Sequence, residues 1–185
     1  MANNALEATV GKPKIGGGVS VAPLGTTLPT DATTALGSAF ANIGYITEDG
    51  VTNTISRENT EIKAWGGDTV LNVQTAFSDQ WQMTMMQVMN VDVLKTVFGN
   101  DNVTGALTTG ITVEVNSDLL EAHAWAIDML YNNDTVKRIV IPNATVIEIG
   151  DIVYVDGEPV GYEVTLGTVP DASGNTHYEY IKKSS

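Results

Sequence analysis

The sequence predicts a mainly β fold, an antiparallel sandwich-like or barrel-like body with one short α-helix, and three features of the chain carry that prediction. From Ile43 onward, apolar and polar residues alternate in short runs, the period-2 signature of strands with one buried face. The runs are separated at Asp49-Gly50, Asn132-Asn133-Asp134, Asp156-Gly157 and Ser173-Gly174-Asn175. There Gly and Asn accept positive φ and Asp bonds nearby amides, so antiparallel hairpins follow. A single segment, residues 90–98, carries helical spacing instead. A length of 185 residues suits one domain with a full core and some appendages.

Taken in order, residues 1–42 are dominated by Gly, Ala, Thr and Pro and hold few large apolar groups, so they are expected to form an extended N-terminal arm. Its short apolar patches, Ile15, Val19, Val21 and Leu24, could dock on a neighbour, because an extended segment gains affinity from main-chain pairing. The body, residues 43–185, is expected to hold strands near 43–47, 51–57, 69–77, 80–88, 111–116, 122–131, 135–141, 144–149, 151–155, 159–169 and 176–182, some of them halves of one bent strand. A long loop is expected over about 48–68. In NVDVLKTVFG, Asn90 is a good N-cap, Asp92 sits where the helix dipole favours an anion, and Gly99 is placed to stop the helix. Val91, Leu94, Val97 and Phe98 share its apolar face, which should close one end of the β core.

Residues 69–86 are read as a long hairpin with two unlike sides. Leu71, Val73 and Phe77, then Trp81, Met83 and Met85, fall on one face, and Asn72, Gln74, Gln80, Gln82 and Thr84 on the other. An almost charge-free amide face fits either an ordinary solvated surface or the wall of a channel whose contents must not adhere. Composition does not choose between them. The stretch IKAWGGDTV, residues 62–70, sets an indole beside two glycines and an acid. Gly66-Gly67-Asp68 is read as the hinge where the long loop rejoins the β body, with Trp65 either anchoring it by burial or exposed as a contact.

The charge excludes several partners. With 22 acids against 9 bases the net charge is −13, which opposes tight binding to nucleic-acid phosphates and anionic lipid. The absence of cysteine removes disulfides and thiolate metal sites. The first ten residues lack the basic start and apolar run of a signal peptide, so export by that route is not expected, and no run of about 18 apolar residues suggests a membrane span.

Catalytic chemistry finds little support. His123 alternates with Trp125, Ile127, Met129 and Tyr131 and reads as a partly buried strand histidine, whereas His177 follows a turn and reads as exposed. Glu48-Asp49 and Asp156/Glu158 stand in turns, where acids serve solvation. No HExxH, CxxC or EF-hand spacing occurs, and neither Gly16-Gly17-Gly18 nor Gly66-Gly67 has the GK[ST] context of a phosphate loop. Neither an enzyme nor a cofactor or metal site is expected. The sequons at Asn102 and Asn143 are discounted as chance matches.

The order APLGTTLPTDATTALG (22–37), GYITEDGV (44–51), IKAWGGDTV (62–70) and NVDVLKTVFG (90–99) resembles the major tail tube proteins of long-tailed bacteriophages. The resemblance covers roughly residues 11–100; beyond it, strand pattern and length agree. It implies a structural virion protein with a tail tube fold, assembled in the bacterial host cytoplasm and resident in the virion tail. It implies hexameric rings, stacked into a hollow tube around a tape-measure protein, that later conduct DNA without binding it specifically or contacting a membrane. The implied partners are other copies of the chain, the tape-measure protein, and the tail terminator and distal tail proteins.

Under that resemblance the lumen candidates are Asn72, Gln74, Gln80, Gln82 and Thr84, with Thr112, Glu114 and Asn116 from ITVEVN; an outer-wall position for Glu114 fits equally. The candidates for contact between subunits or rings are Ile15, Val19, Val21 and Leu24 on the arm and Glu48, Asp49, Arg57, Glu58, Trp65 and Asp68 on the long loop. Two other readings are a tube protein of a contractile tail or type VI secretion system, and a bacterial adhesion or carbohydrate-binding β-domain. The latter would need an exposed aromatic platform, and Trp81 and Trp125 alternate with apolar neighbours as core residues do.

Overall fold

The structure, a computed structural model, describes residues 7–14, 17–132 and 134–183. Among the described residues, eleven strands and one helix follow one another as β1 (Lys12–Pro13), β2 (Val19–Pro23), β3 (Ala41–Asn42), β4 (Ile46–Lys63), β5 (Thr69–Met85), α1 (Val91–Phe98), β6 (Val103–Ala106), β7 (Gly110–Val113), β8 (His123–Tyr131), β9 (Thr135–Ile149), β10 (Tyr162–Thr168) and β11 (Tyr178–Lys183). The fold is mainly β, as the alternation predicts. The main sheet runs β3-β2-β8-β9-β10-β5-β4, with β1 added beside β8 and β11 beside β9, and every pair is antiparallel.

The long strand β9 is the spine. Its first half pairs with β8 on one side and β11 on the other; its second half pairs with β10. The two halves, read separately in the sequence, are one strand whose register against β8 shifts between the His123 and Trp125 pairings. Pro142 lies opposite that shift, and a proline, having no N–H to give the ladder, is tolerated in a sheet at such an irregularity.

One face of the sheet carries the apolar core. Val19 and Val21 of β2, Trp125 and Ile127 of β8, Ile139 and Ile141 of β9, Val164 and Leu166 of β10, and Trp81, Met83 and Met85 of β5 belong to a single buried cluster. Helix α1 adds Val93, Leu94 and Val97 to it. Asn90 caps the helix through its side chain, which accepts from the Asp92 amide at 2.9 Å, and Gly99 ends it at φ 100°. The cap pattern was readable because each end uses the residue type its backbone groups require.

Several expectations need correction. Residues 48–68 are not a loop: β4 runs unbroken to Lys63 and forms with β5 one hairpin, closed by a turn over residues 64–68. What looked like a hairpin over 69–86 is therefore a single strand of 17 residues. Asp49-Gly50 does not turn the chain but lies in an irregularity of β4, where the register shifts between Ile46 and Val51. Residues 151–155 form no strand, since no neighbouring strand offers them a ladder, and β6, unexpected from the sequence, supplies the partner of β7.

The N-terminal residues also differ from a free arm. β2 lies within the main sheet, and Val19 and Val21 are buried in the chain's own core. On the sheet's other face, fully buried Arg138 donates from Nε and Nη2 to Asp128 at 2.6 and 2.9 Å. Its Nη1 donates to the Asp31 and Thr34 carbonyls at 3.1 and 2.7 Å, tying the turn at residues 31–34 to the body.

Candidate assembly surface

The β4–β5 hairpin leaves the body at a buried polar cluster. Asp79, in mid-strand, accepts from Asn53 Nδ2 at 2.6 Å on one carboxylate oxygen. Its other oxygen takes the Thr176 hydroxyl at 2.7 Å and meets His177 Nδ1 at 2.5 Å. The Asp79 carbonyl accepts from Thr168 at 2.8 Å, and the His177 ring stands edge-on to Trp81 with centroids 5.2 Å apart. A buried carboxylate is stable only when its lone pairs are satisfied, and here three side chains from two segments do that. His177, expected to be exposed, is held at this joint. Its role was hidden because the partner is 98 residues away.

Beyond the joint the hairpin is exposed on both faces from Thr52 to Ser78. Its apolar side chains are left bare: Leu71 and Val73 stand opposite Ile62 and Thr60, and Phe77, across the register shift between Glu58 and Asn59, stands opposite Arg57. Arg57 lies over the Phe77 ring at 4.6 Å and donates to Gln74 at 3.0 Å. At the tip, the Gly67 amide bonds the Ala64 carbonyl at 3.0 Å, and Gly66 and Gly67 adopt φ of 121° and 100°. Those angles, rather than crowding, require glycine there, since a Cβ at either residue would meet nothing within 4 Å. Trp65 is wholly exposed, which rules out anchorage by burial within its own chain.

The amide side chains expected on one face of β5 divide between two. Gln80, Gln82 and Thr84 share one side, and the register continues that side across the sheet; the shift between Glu58 and Asn59 reverses the parity, so Asn72 and Gln74, opposite Glu61 and Asn59, fall on the other side. Thr52 and Thr54 of β4 lie opposite Gln82 and Gln80; beyond them come Glu163 and Thr165 of β10 and Thr145 and Glu148 of β9. Gln82 donates to Glu163. The two glutamates, absent from the sequence-derived set, are the charged groups of this face on β9 and β10. They were missed because only the register reveals which face of the sheet they share.

The remaining candidates disperse. Thr112 lies on β7 and Glu114 and Asn116 just beyond it, all exposed beside the separate β6–β7 sheet rather than on the β5 face. There Asn116 donates to the Asn102 side chain at 2.9 Å, and the Glu114 amide to the Asn102 carbonyl at 2.8 Å. Leu24, Glu48, Asp49, Glu58 and Asp68 are exposed. Ile15 lies outside the described residues.

No group of His, Cys, Asp and Glu among the described residues has metal-binding geometry, and no described helix is long and apolar enough to cross a membrane. What the surface offers is an unusual amount of sheet with nothing upon it: two bare faces on a hairpin, and one polar face with free edges. The family described as phage tail tube protein matches residues 1–185, the entire chain. This chain is a phage tail tube protein. It is a structural component of the virion tail and not an enzyme, and the tail tube family implies that it assembles with itself into a tube. No curated protein matches it.

Proposed function

We propose that this tail tube protein forms hexameric rings that stack into a hollow tube around a tape-measure protein and later conduct DNA. The observation that supports this most is the outer face of the sheet made by β4, β5, β10 and the second half of β9. That face is hydroxyl- and amide-rich, and its charges on β9 and β10, Glu148 and Glu163, are both acidic. Among the described residues, no strand pairs with β4 on its far side or with residues 145–149 opposite β10. Unpaired edges of this kind invite pairing with another chain unless a closed ring removes them. Closing six copies edge to edge would line a channel with Gln80, Gln82, Thr84, Thr52 and Thr54 and with the two glutamates. Phosphates would slide past such a wall without adhering, the acids acting over a screening length of about 8 Å at physiological salt.

In this assembly the distal hairpin bridges successive rings, and Asn72, Gln74, Arg57, Glu58, Trp65 and Asp68 belong to that bridge. The tail terminator and distal tail proteins cap the two ends, assembly takes place in the host cytoplasm, and DNA is only in transit.

Negative-stain microscopy of the purified full chain should show hollow tubes or six-fold rings. A chain that stays monomeric at every concentration, with or without a tape-measure segment, would overturn the reading. The lumen assignment has its own test. Phage carrying Glu148→Lys and Glu163→Lys should assemble tails of normal length and release DNA more slowly, and unchanged release would sink it.

A further inference from the structure

An exposed indole stands at the hairpin tip and an open groove at the hairpin base. The groove has a volume of about 710 Å³, within the range of about 300–1,000 Å³ typical of pockets that enclose small organic groups. Pro13, Val19, Ile46, Val51, Ile127 and Met129 supply its apolar lining, and Lys14, Glu48, Asp49 and Asp128 the charged part. Trp65 is flanked by Lys63 on one side of the turn and Asp68 on the other. Glu48 and Asp49 give the groove an acidic rim that suits Lys63, and half-exposed Lys14, which pairs with the groove's Asp128 at 3.6 Å, is the cation Asp68 would share.

A chain cannot satisfy its own pair. The groove is lined by residues at the start of β4, Ile46 to Val51, and the tip lies past the end of the same strand at Lys63. At about 3.3 Å per residue, the stretch from Thr54 to Lys63 carries the tip roughly 30 Å from the joint. Each copy thus presents one tip and one groove at opposite ends of a stiff ribbon, which makes a head-to-tail contact that propagates from copy to copy.

We propose that Trp65 of one copy inserts into the groove of a second copy, with Lys63 and Asp68 paired to Glu48 or Asp49 and to Lys14. This rests on the tube reading and deepens it by naming the receiving surface. A buried tryptophan framed by matched charges is the kind of residue that dominates interface energetics, and six repeats around a ring multiply one modest contact.

The chain's lack of cysteine makes the test clean. Trp65→Cys and Thr47→Cys chains, Thr47 being a groove residue, are mixed under conditions where the native chain forms tubes, then oxidised. Disulfide-linked dimers should form between the two variants and not between Trp65→Cys and a Ser173→Cys control. In parallel, Lys14→Glu should raise the protein concentration needed for tubes at least tenfold, and Asp68→Lys added to it should restore most of that loss. Tubes from the native chain without the Trp65–Thr47 link, or without rescue by the charge exchange, would overturn the groove assignment and leave the tube reading standing. Failure of the native chain to assemble at all would overturn both.

Discussion

Near its base the β4–β5 hairpin buries Trp81, Met83 and Met85; further out, the same alternation on the same strand leaves Leu71, Val73 and Phe77 exposed. Met83 is 2% exposed and Leu71 is 56%. The local sequence rule is identical in the two halves, so the difference lies in what stands opposite. The base is covered by the body and by α1, and the far half has only its own partner strand. Burial stabilises the base within one chain at roughly 25 cal/mol per Å² of apolar surface. The outer half gains nothing comparable within one chain, and a sizeable exposed apolar surface marks an interaction site.

If the base alone belongs to the fold, substitutions in the two halves must separate stability from assembly. The largest effect is expected from Trp81→Ala, which empties a fully packed site and also removes the ring that His177 abuts. A loss of about 3–5 kcal/mol in unfolding free energy follows from such truncations, measurable by denaturant titration of the monomer. A loss below 1 kcal/mol would mean that the base is not the core it resembles.

The joint comes next. Asp79→Ala removes from a buried position the acceptor that Asn53, Thr176 and His177 share, with an expected cost of about 1–3 kcal/mol. Because those donors come from β4 and from the segment before β11, the variant should also loosen the hairpin against the body. Hydrogen exchange at residues 50–55 should rise more than in α1. Equal rises in both would show a global loss of stability without any special role for the joint.

The outer half should respond in the opposite sense. Leu71→Ser is expected to leave monomer stability within about 0.5 kcal/mol, as exposed substitutions generally do. Tube formation, followed by light scattering, should nevertheless need a higher protein concentration. A variant that melts several degrees early as a monomer would place Leu71 in the fold and abolish the contrast between the halves.

How much of this was legible in the sequence follows the range of the interactions. The helix was readable to within a residue because Asn90, Asp92 and Gly99 act on amides and carbonyls a turn away. The shared side of Gln80, Gln82 and Thr84 was readable because parity holds over a short run, whereas the register shift that takes Asn72 and Gln74 to the other side leaves no mark in the sequence. The length of β4 was not, since SRENTEIK carries more charge than a strand with a buried face would and pairs along a ribbon that no core covers. The arm was misread for a related reason. Its few apolar side chains are too sparse to predict a strand, yet β8 offers a ladder to which Val19 and Val21 can add. Glu148, Glu163 and the Asp79–His177 joint depend on long-range register, which a single chain of letters does not display.

The smallest effect separates the body from the hairpin by pH. Asp31 accepts from the Thr34 hydroxyl and from the Thr34 and Thr33 amides, and these bonds hold its carboxyl well below the usual carboxylate range. A depressed folded-state value means that the contribution is fully present above the ordinary value near 4 and is lost as pH falls toward the folded value. The same turn presents the Asp31 and Thr34 carbonyls to Arg138, so acid should release residues 24–40 from the body while leaving the hairpin's exposure unchanged. Limited proteolysis at pH 5 and pH 3 should show new cleavage within 24–40 at the lower pH. Asp31→Asn, which cannot titrate, should show the same susceptibility at both. If the native chain were equally protected at both values, the turn would owe its place to Arg138 alone, and the N-terminal segment would be fixed to the body by the buried Arg138–Asp128 pair rather than by its own capped turn.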